Sequence, residues 1–314
     1  MDIRPASAAD RPAINSLLRR ALNVGDDPRY DDFLEWKHRE NPFGPSYEWV
    51  ATVGGAVVGY RSFLRWQLVV DGEVRPAVRA VDTATDREHQ GKGIFNALTL
   101  HGVEQLTADG VAWVFNTPND ASRPGYLKMG WSLVGRLPVA VMARSVLTLR
   151  HARRARQPAQ RWSEPSSAFE PAVPAIERIA GRDANSVTGS TSNGWATNRT
   201  MPFLRWRYGL EALHYRAVDT GDAAVVFRVR QRGPLREVLI ADVIGNGAAR
   251  VRVGSVARSI LRSTGADVAV ISARPRPRTA IPVGGPQLTW RPITDERVPT
   301  IESLSFCGGD MELF

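Results

Sequence analysis

The chain has 314 residues, of which 43% are hydrophobic, and this is enough to bury more than one core, so we expect two domains. The formal charge is +9, but lysine occurs only at Lys37, Lys92 and Lys128, and the arginines are spread along the sequence. This distribution argues against a nucleic-acid partner and favours a general attraction for small anionic ligands. The single cysteine, Cys307, excludes an internal disulfide, and the histidines lack the spacing of metal ligands, so we expect no metal.

Neither a membrane partner nor secretion is expected from the sequence. No stretch approaches the roughly 20 consecutive apolar residues of a membrane-spanning helix. The start of the chain lacks the apolar run of a secretory signal. The sequence therefore predicts a cytoplasmic protein.

The first half of the sequence predicts a strand, two helices, a three-stranded meander and then alternating helices and strands. Strands are expected at 3–5, 47–53, 56–66, 74–84, 111–115 and 131–143. Helices are expected after the capping residue Ser7, at about 30–38, after Gly93 and at 121–128. This order indicates a fold with both helices and strands (α/β in the broad sense, of the α+β kind). It is built on a mixed sheet, with parallel and antiparallel strands.

The second half repeats part of this plan. The helical segment 33–38, Phe-Leu-Glu-Trp-Lys-His, is echoed by 203–208, Phe-Leu-Arg-Trp-Arg-Tyr. Strand-like segments follow each copy, and in the second copy a helix is expected at about 249–263 and a strand at 268–272. A polar, Arg- and Pro-rich segment at 149–174 separates the halves, so we predict domains at 1–148 and 175–314 joined by this linker.

A glycine-containing loop, residues 86–93, lies between a predicted strand that ends near Thr85 and a predicted apolar helix. Its glycines let successive backbone N–H groups turn toward one anion, and the start of the helix adds unpaired donors and partial positive charge. The loop therefore indicates a diphosphate site. It is not a Walker loop, because Gly93 is followed by Ile94, and it lacks the three-glycine spacing of dinucleotide sites.

The loop resembles motif A of the GNAT (Gcn5-related N-acetyltransferase) superfamily, in which a Gln or Arg stands three residues before the central glycine. Gln90 and Gly93 fill these two places, while Phe95 departs from the usual final Gly or Ala. Residues 116–131 look like motif B of the same family, with Asn119 before a short helix that carries Tyr126. The resemblance covers residues 1 to about 145 well, and the second half only in outline. It implies two GNAT-like acyl-CoA N-acyltransferase domains in tandem, the second degenerate.

The resemblance also implies how an acyl-CoA would be bound and used. The pantetheine arm lies between two splayed parallel strands, here 81–85 and 111–115, and bonds like an added strand. The resemblance implies acetyl-CoA or another acyl-CoA as the co-substrate. The implied contacts to it are Thr83, Ala84, Thr85, Gln90, Gly91, Lys92, Gly93, Ile94, Phe95 and Asn119. Tyr126 is implied as the general acid for the leaving thiolate; packing as a core aromatic is the alternative.

The general base is left open by the sequence. Asp82 lies on the strand beside the splay, and Glu35 lies on the helix that usually walls the acceptor site; a capping or solvated carboxylate is the alternative for each. The carboxylate of the chain terminus, Phe314, is a third candidate.

Three functions compete at this stage. The leading interpretation is an N-acyltransferase that moves an acyl group from CoA to an amine of a small molecule. The first alternative is a non-catalytic acyl-CoA-binding or regulatory module. The second is nucleic-acid binding through the arginines of the linker.

Overall fold

The computed structural model describes residues 1–145, 148, 157–182, 194–246, 248, 251–272 and 277–312. The chain forms two compact units. The first unit comprises Met1–Gly135 and Gln287–Ile301, and the second comprises Arg136–Pro286 and Glu302–Phe314. Each unit therefore takes a segment from both halves of the sequence.

The first unit is a mixed sheet with helices on both faces. Its strands are β1 (Asp2–Pro5), β2 (Tyr47–Val53), β3 (Ala56–Val70), β4 (Glu73–Thr85), β5 (Trp113–Asn116), β6 (Ser132–Arg136) and β15 (Gln287–Pro292). Its helices are α1 (Arg11–Leu22), α2 (Arg29–His38), α3 (Ile94–Ala108) and α4 (Arg123–Lys128). The order of these strands in the sheet is β1-β2-β3-β4-β5-β15-β6. Strands β2, β3 and β4 form an antiparallel meander, β5 runs parallel to β4, and β15 runs antiparallel to β5.

The two faces of β3 meet different helices. Successive side chains of a strand point to opposite faces. Phe63 belongs to the core cluster that also contains α3 residues, whereas the hydroxyl of Ser62 lies 3.3 Å from His38 Nδ1 on α2. Helices α2 and α3 therefore cover opposite faces of the sheet.

The second unit has a sheet of its own. The strands of this sheet are β7 (Val139–Ala143), β8 (Glu170–Pro171), β10 (Arg216–Asp219), β11 (Ala224–Arg232), β12 (Leu235–Ile244), β13 (Val268–Ile271) and β14 (Ile281–Val283). The unit also contains the short strand β9 (Trp195–Thr197), which is not part of this sheet. Its helices are α5 (Ala172–Arg182), α6 (Met201–Gly209), α7 (Val253–Thr264) and α8 (Gly308–Met311). The sheet order is β14-β7-β13-β12-β11-β10-β8, with β12 and β13 parallel. Helix α7 packs its buried side chains Ala257, Ile260 and Leu261 into the core of this sheet.

The strand predicted at 131–143 is two strands in two different sheets. Strand β6 ends at Arg136, and β7 begins at Val139 and pairs with β13. Pro138 lies between them and has no N–H group to continue a ladder. The prediction of one continuous strand was therefore wrong.

The division into units differs from the predicted boundaries at residues 148 and 175. The described part of the predicted linker is bound to the second unit: Gln160 N donates to Gln231 O across 2.7 Å, and Glu164 N donates to Val229 O across 2.9 Å. Strand β8 pairs with β10, and α5 begins at Ala172. The arginine cluster at 153–156 lies outside the described residues.

No helix among the described residues has both the length and the apolar character needed to cross a bilayer.

Candidate active site

The sheet of the first unit opens between β4 and β5. The ladder between these parallel strands pairs Ala77–Arg79 with Trp113–Phe115 and ends there, although β4 continues to Thr85. On its other side, β4 stays paired with β3 up to Thr85, which faces Gly59. One edge of residues 80–85 is therefore turned toward a gap, so an extended chain-like ligand could add to it as a strand.

The glycine loop connects β4 to α3 and is exposed to solvent. Gly91 and Gly93 have φ values of 74° and 77°, in the left-handed region that other residues rarely adopt. A Cβ atom built at either glycine would have no heavy atom within 4 Å, so space for a ligand lies above the loop. Gly93 caps α3, and the N–H groups of the first turn have no acceptor within the helix.

Helix α3 starts close against β3 because residue 59 is a glycine. A Cβ atom at Gly59 would lie 2.6 Å from Ile94 Cγ2 and 3.1 Å from Leu98 Cδ1. Any larger residue at this position would push the start of α3 away from the sheet. The first turn of the helix is thus fixed beside the gap.

Tyr126, on α4, is a buried residue with a polar partner. Its ring packs edge-on against Phe95 and Trp131, with centroids 5.4 Å and 5.2 Å away. Arg61 Nη1 donates a hydrogen bond to Tyr126 Oη across 2.7 Å. Because the phenol oxygen accepts this bond, its own proton is free to be donated elsewhere. Tyr126 therefore packs in the core, which was the alternative expectation for it, and also carries a polarised hydroxyl.

Arg61 is fully buried, and no carboxylate among the described residues forms an ion pair with it. Its Nε and Nη2 atoms have no hydrogen-bond partner. The guanidinium stacks instead on aromatic rings, with its carbon 4.4 Å from the Phe63 centroid and 5.4 Å from that of Tyr126. A buried cation without a counter-charge is costly, so the donors of Arg61 are suited to an incoming anion or developing negative charge.

Asp82 is the centre of a buried ion-pair network. It is the extra residue of a bulge between Val81 and Thr83, with a φ of 28°. Its Oδ2 lies 2.7 Å from Lys37 Nζ and 2.9 Å from His38 Nε2, both on α2. Burial alone would raise the pKa of Asp82, but the ammonium of Lys37 and the bond to His38 lower it well below its usual range.

The remaining predicted residues are more exposed. Glu35 lies on the exposed surface of α2, so it is not brought together with Asp82's buried network. The side-chain oxygen of Asn119 accepts bonds from Ser122 N and Ser122 Oγ, both at 2.9 Å, and thereby fixes the chain just before α4. Thr83 donates its hydroxyl to Tyr60 O across 3.2 Å. Leu313 and Phe314, with the terminal carboxylate, lie outside the described residues.

Residues 2–134 match the family model of the acetyltransferase (GNAT) domain. This part of the chain is therefore similar to GNAT acetyltransferase domains. A search of curated proteins found no match to the chain.

Similarity to solved structures extends over both units of the chain. A probable N-acyltransferase from Enterococcus faecalis V583 is 12% identical, with a TM-score of 0.66, over 93% of this chain and 72% of that one. A GCN5-related N-acetyltransferase from Anabaena variabilis is 15% identical (TM-score 0.61; 93% and 73% covered). Eis1 from Mycobacterium abscessus is 17% identical (TM-score 0.60; 93% and 74% covered). At these identities the likeness concerns the fold alone.

Phe95, which departs from the glycine or alanine of motif A, is accommodated within the first unit. Its half-buried ring turns toward α4, where a Cβ atom at Gly125 would lie 3.0 Å from Phe95 Cε1. The small residue at position 125 therefore makes room for the large one at position 95. The departure from the motif does not displace the start of α3.

Sequence reasoning missed Arg61, Lys37 and His38. Arg61 sits in a strand where alternating residues are expected to be buried, and a buried arginine at such a position is a signal of function or pairing. Lys37 and His38 end a predicted helix, where basic residues ordinarily balance the helix dipole in solvent. Nothing in the sequence pairs them with Asp82, which is more than forty positions away.

Proposed function

We propose that the chain is an acyl-CoA-dependent N-acyltransferase, acting with acetyl-CoA or another acyl-CoA on an amine of a small molecule. The observation that carries the proposal is the continuity between the glycine loop and Tyr126. Phe95 is the second residue of the helix that the loop opens, and its ring contacts that of Tyr126 at 5.4 Å. The proposed diphosphate site and the proposed acid thus lie at neighbouring points of one domain.

The residues present fit an acyl-CoA. The N–H groups of Gly91, Lys92, Gly93, Ile94 and Phe95 are proposed to hold the diphosphate, with Gln90 closing the loop through its bond to Thr85 O at 3.4 Å. The free backbone edge of Thr83, Ala84 and Thr85 is proposed to hold the pantetheine arm. When bound, the acyl-CoA supplies an activated thioester, whose acyl carbon forms a bond to the amine nitrogen as its bond to sulfur breaks.

Tyr126 is proposed to give its proton to the departing sulfur. Arg61 is proposed to orient the phenol and to stabilise the negative charge left on its oxygen, at the observed 2.7 Å. Two donors of Arg61 are free of partners and could also meet charge that develops near the thioester oxygen. The surrounding aromatic side chains exclude water, which strengthens each of these interactions.

The base is proposed to be separate from the Asp82 network. A carboxylate with a lowered pKa and two buried cationic or imidazole partners is a weak proton acceptor. We propose that Asp82 holds the end of α2 against β4, which shapes the wall of the acceptor site. Glu35 is exposed on α2, two residues before Lys37. Of the two carboxylates it is the better placed to take a proton through water.

The second unit is proposed to be a degenerate copy of the first. In both sheets a three-stranded meander is followed by a helix and a parallel strand, and then by an antiparallel strand from the other half of the chain. Helix α7 follows Arg252, whereas α3 follows Gly93 in its left-handed conformation. Loss of that glycine supports the interpretation that the second unit does not hold a diphosphate in the manner of the first.

Thiol release from acetyl-CoA in the presence of a panel of small amines tests the proposal. The expected result is release that depends on the acceptor and that is reduced when Gly93 is replaced by Val. Tight binding of acetyl-CoA with no release for any amine would instead support a non-catalytic acyl-CoA-binding module. Binding to DNA that remains strong at high salt would favour the nucleic-acid alternative.

A small-molecule amine as the acceptor, a cytoplasmic location and the lack of a metal remain predictions from the sequence.

A further inference from the structure

A cavity of about 970 Å³ opens in the second unit. It is lined by the end of β12, by Ser272 just after β13, by the start of α7, by residues 277–279 and by residues 302 and 304–307. All of its lining residues belong to this unit. The volume lies at the upper end of the roughly 300–1,000 Å³ that small-molecule sites occupy.

The cavity lies where the second sheet splays. The parallel ladder between β12 and β13 ends with the pair Ile240 and Ile271, while β12 continues to Ile244. This opening corresponds in topology to the gap between β4 and β5 in the first unit. Ligands of open α/β sheets bind in crevices outside the carboxyl ends of the strands, which is where this opening lies.

The inner part of this opening is filled by the chain itself. A Cβ atom at Gly308 would lie 2.7 Å from Ile240 O, so the carboxyl-terminal segment is pressed against β12. Buried Arg207 fixes the segment by donating from Nε to Gly309 O across 2.9 Å. A long arm could not lie along β12 as pantetheine is proposed to lie along β4. The cavity is the part of the opening that remains.

The outer part of the cavity is basic. Arg252, Arg258 and Arg278 line it with exposed side chains, and none of the three has an ion-pair partner among the described residues. Arg252 precedes the first residue of α7, a helix of 12 residues whose start carries partial positive charge. Val253 N and Ser255 N already donate to Val251 O and Arg252 O, so the helix contributes mainly through this charge. Arg258 Nη1 donates to Thr279 Oγ1 across 3.1 Å and so spans the cavity entrance.

Carboxylates do not cancel this charge. Asp242 lines the cavity, but its Oδ2 is bound by Arg199 Nε at 3.0 Å and by Tyr208 Oη at 2.9 Å. Glu302 is the other lining carboxylate, against three unpaired arginines. The wall also includes the hydroxyl residues Ser255, Ser272, Thr279 and Ser305, and apolar side chains such as Val253 and Phe306. The lining therefore joins an anion-binding end to an apolar surface.

We propose that this cavity binds a phosphorylated small molecule of nucleotide size. Its phosphate would be held by Arg252, Arg258 and the start of α7, and its apolar part would rest on Val253 and Phe306. The ligand lacks a long arm, because the carboxyl-terminal segment fills that space. The site is distinct from the acyl-CoA site proposed in the first unit.

Calorimetric titration of the full chain with adenosine 3′,5′-bisphosphate tests this site, with inorganic diphosphate as a second probe. The double variant Arg252→Gln/Arg258→Gln is expected to bind adenosine 3′,5′-bisphosphate at least about tenfold more weakly, because two charge-assisted contacts are lost. Arg262→Gln, one turn further along α7, is the matched control and should bind as the natural chain does. Tighter binding of the nucleotide than of inorganic diphosphate would show that the apolar wall contributes.

A first-unit variant, Gly93→Val, separates this site from the proposed acyl-CoA site. Binding that survives Gly93→Val and is lost in the double variant supports the proposal whether or not the chain is an acyltransferase. Absence of binding by the natural chain would overturn it. Equal binding by the double variant, or binding abolished by Gly93→Val alone, would also overturn it.

Discussion

The guanidinium of Arg61 donates a hydrogen bond to the phenol oxygen of Tyr126 across 2.7 Å, inside the core of the first unit. This contact links a strand of the meander to the short helix of motif B. It leaves the phenol proton unengaged by Arg61 and places a fixed positive charge where the proton would leave. The proposed acid is thus defined by two residues, of which the sequence motif contains only one.

Replacement of Tyr126 by Phe is expected to lower kcat by roughly 10²–10⁴-fold, the usual contribution of a positioned general acid. The KM for acetyl-CoA should change little, because the ring and its packing remain. Steady-state thiol release with a good amine acceptor measures both values. Tyr47→Phe, a half-buried tyrosine elsewhere in the unit, is the control. Equal loss of kcat in both variants would contradict an acid role.

Replacement of Arg61 by Ala is expected to lower kcat on the order of 10²-fold, in the range found when one donor to developing charge is removed. Added guanidinium should restore part of the activity, because the vacated space lies beside Tyr126. Arg61→Lys should retain more activity than Arg61→Ala. A melting temperature for each variant identifies loss of folding. Failure of both guanidinium and lysine to recover activity in a folded variant would assign Arg61 a packing role only.

Replacement of Gly93 by Val is expected to weaken acetyl-CoA binding by more than about tenfold, because a side chain at the helix start blocks approach of the diphosphate. Gly55→Val is a matched control: Gly55 has a φ of 81°, similar to the 77° of Gly93, and a Cβ atom at either has open space around it. The two variants therefore carry similar backbone strain. Dissociation constants from calorimetry should differ between them, and equal values would remove the loop from the binding site.

Replacement of Asp82 by Asn is expected to destabilise the fold by about 3–5 kcal/mol, because it removes the carboxylate that pairs with the buried ammonium of Lys37. Urea unfolding at neutral pH measures this loss. Asp32→Asn, at an exposed position on α2, the helix that carries Lys37, should leave the free energy of unfolding nearly unchanged.

Asp82 should also shape the acid stability of the chain. Its pKa is lowered by folding, so its contribution is present above the unfolded value of about 4 and is lost as pH falls toward the folded value. The free energy of unfolding of the natural chain should therefore fall below about pH 4 more steeply than that of Asp82→Asn. Parallel curves for the two proteins would contradict the lowered pKa.

Local patterns predicted most elements of the first unit. The meander, the helix after Gly93 and the helix that carries Tyr126 depend on turn residues and periodicity, which are properties of short segments. The motif that names Gln90 and Gly93 also fixed the position of the loop before α3. These features could be predicted because neighbours in sequence determine them.

Long-range pairings could not be predicted in the same way. Strand β15 pairs with β5 in the first unit, although about 170 residues separate them, and β7 joins the second sheet. The bond from Arg61 to Tyr126 spans 65 positions, and the pair of His38 with Asp82 spans 44. Such contacts depend on how strands are ordered in a sheet, and no single segment encodes that order. The general base therefore could not be chosen from the sequence, whereas the position of the glycine loop could.

A crystal structure of the chain soaked with acetyl-CoA tests the central claim most directly. The proposed function predicts the diphosphate within hydrogen-bonding distance of the main-chain N–H groups of residues 91–95, the arm along β4, and the sulfur within reach of Tyr126 Oη. Electron density for the coenzyme at another surface, with the glycine loop unliganded, would contradict it.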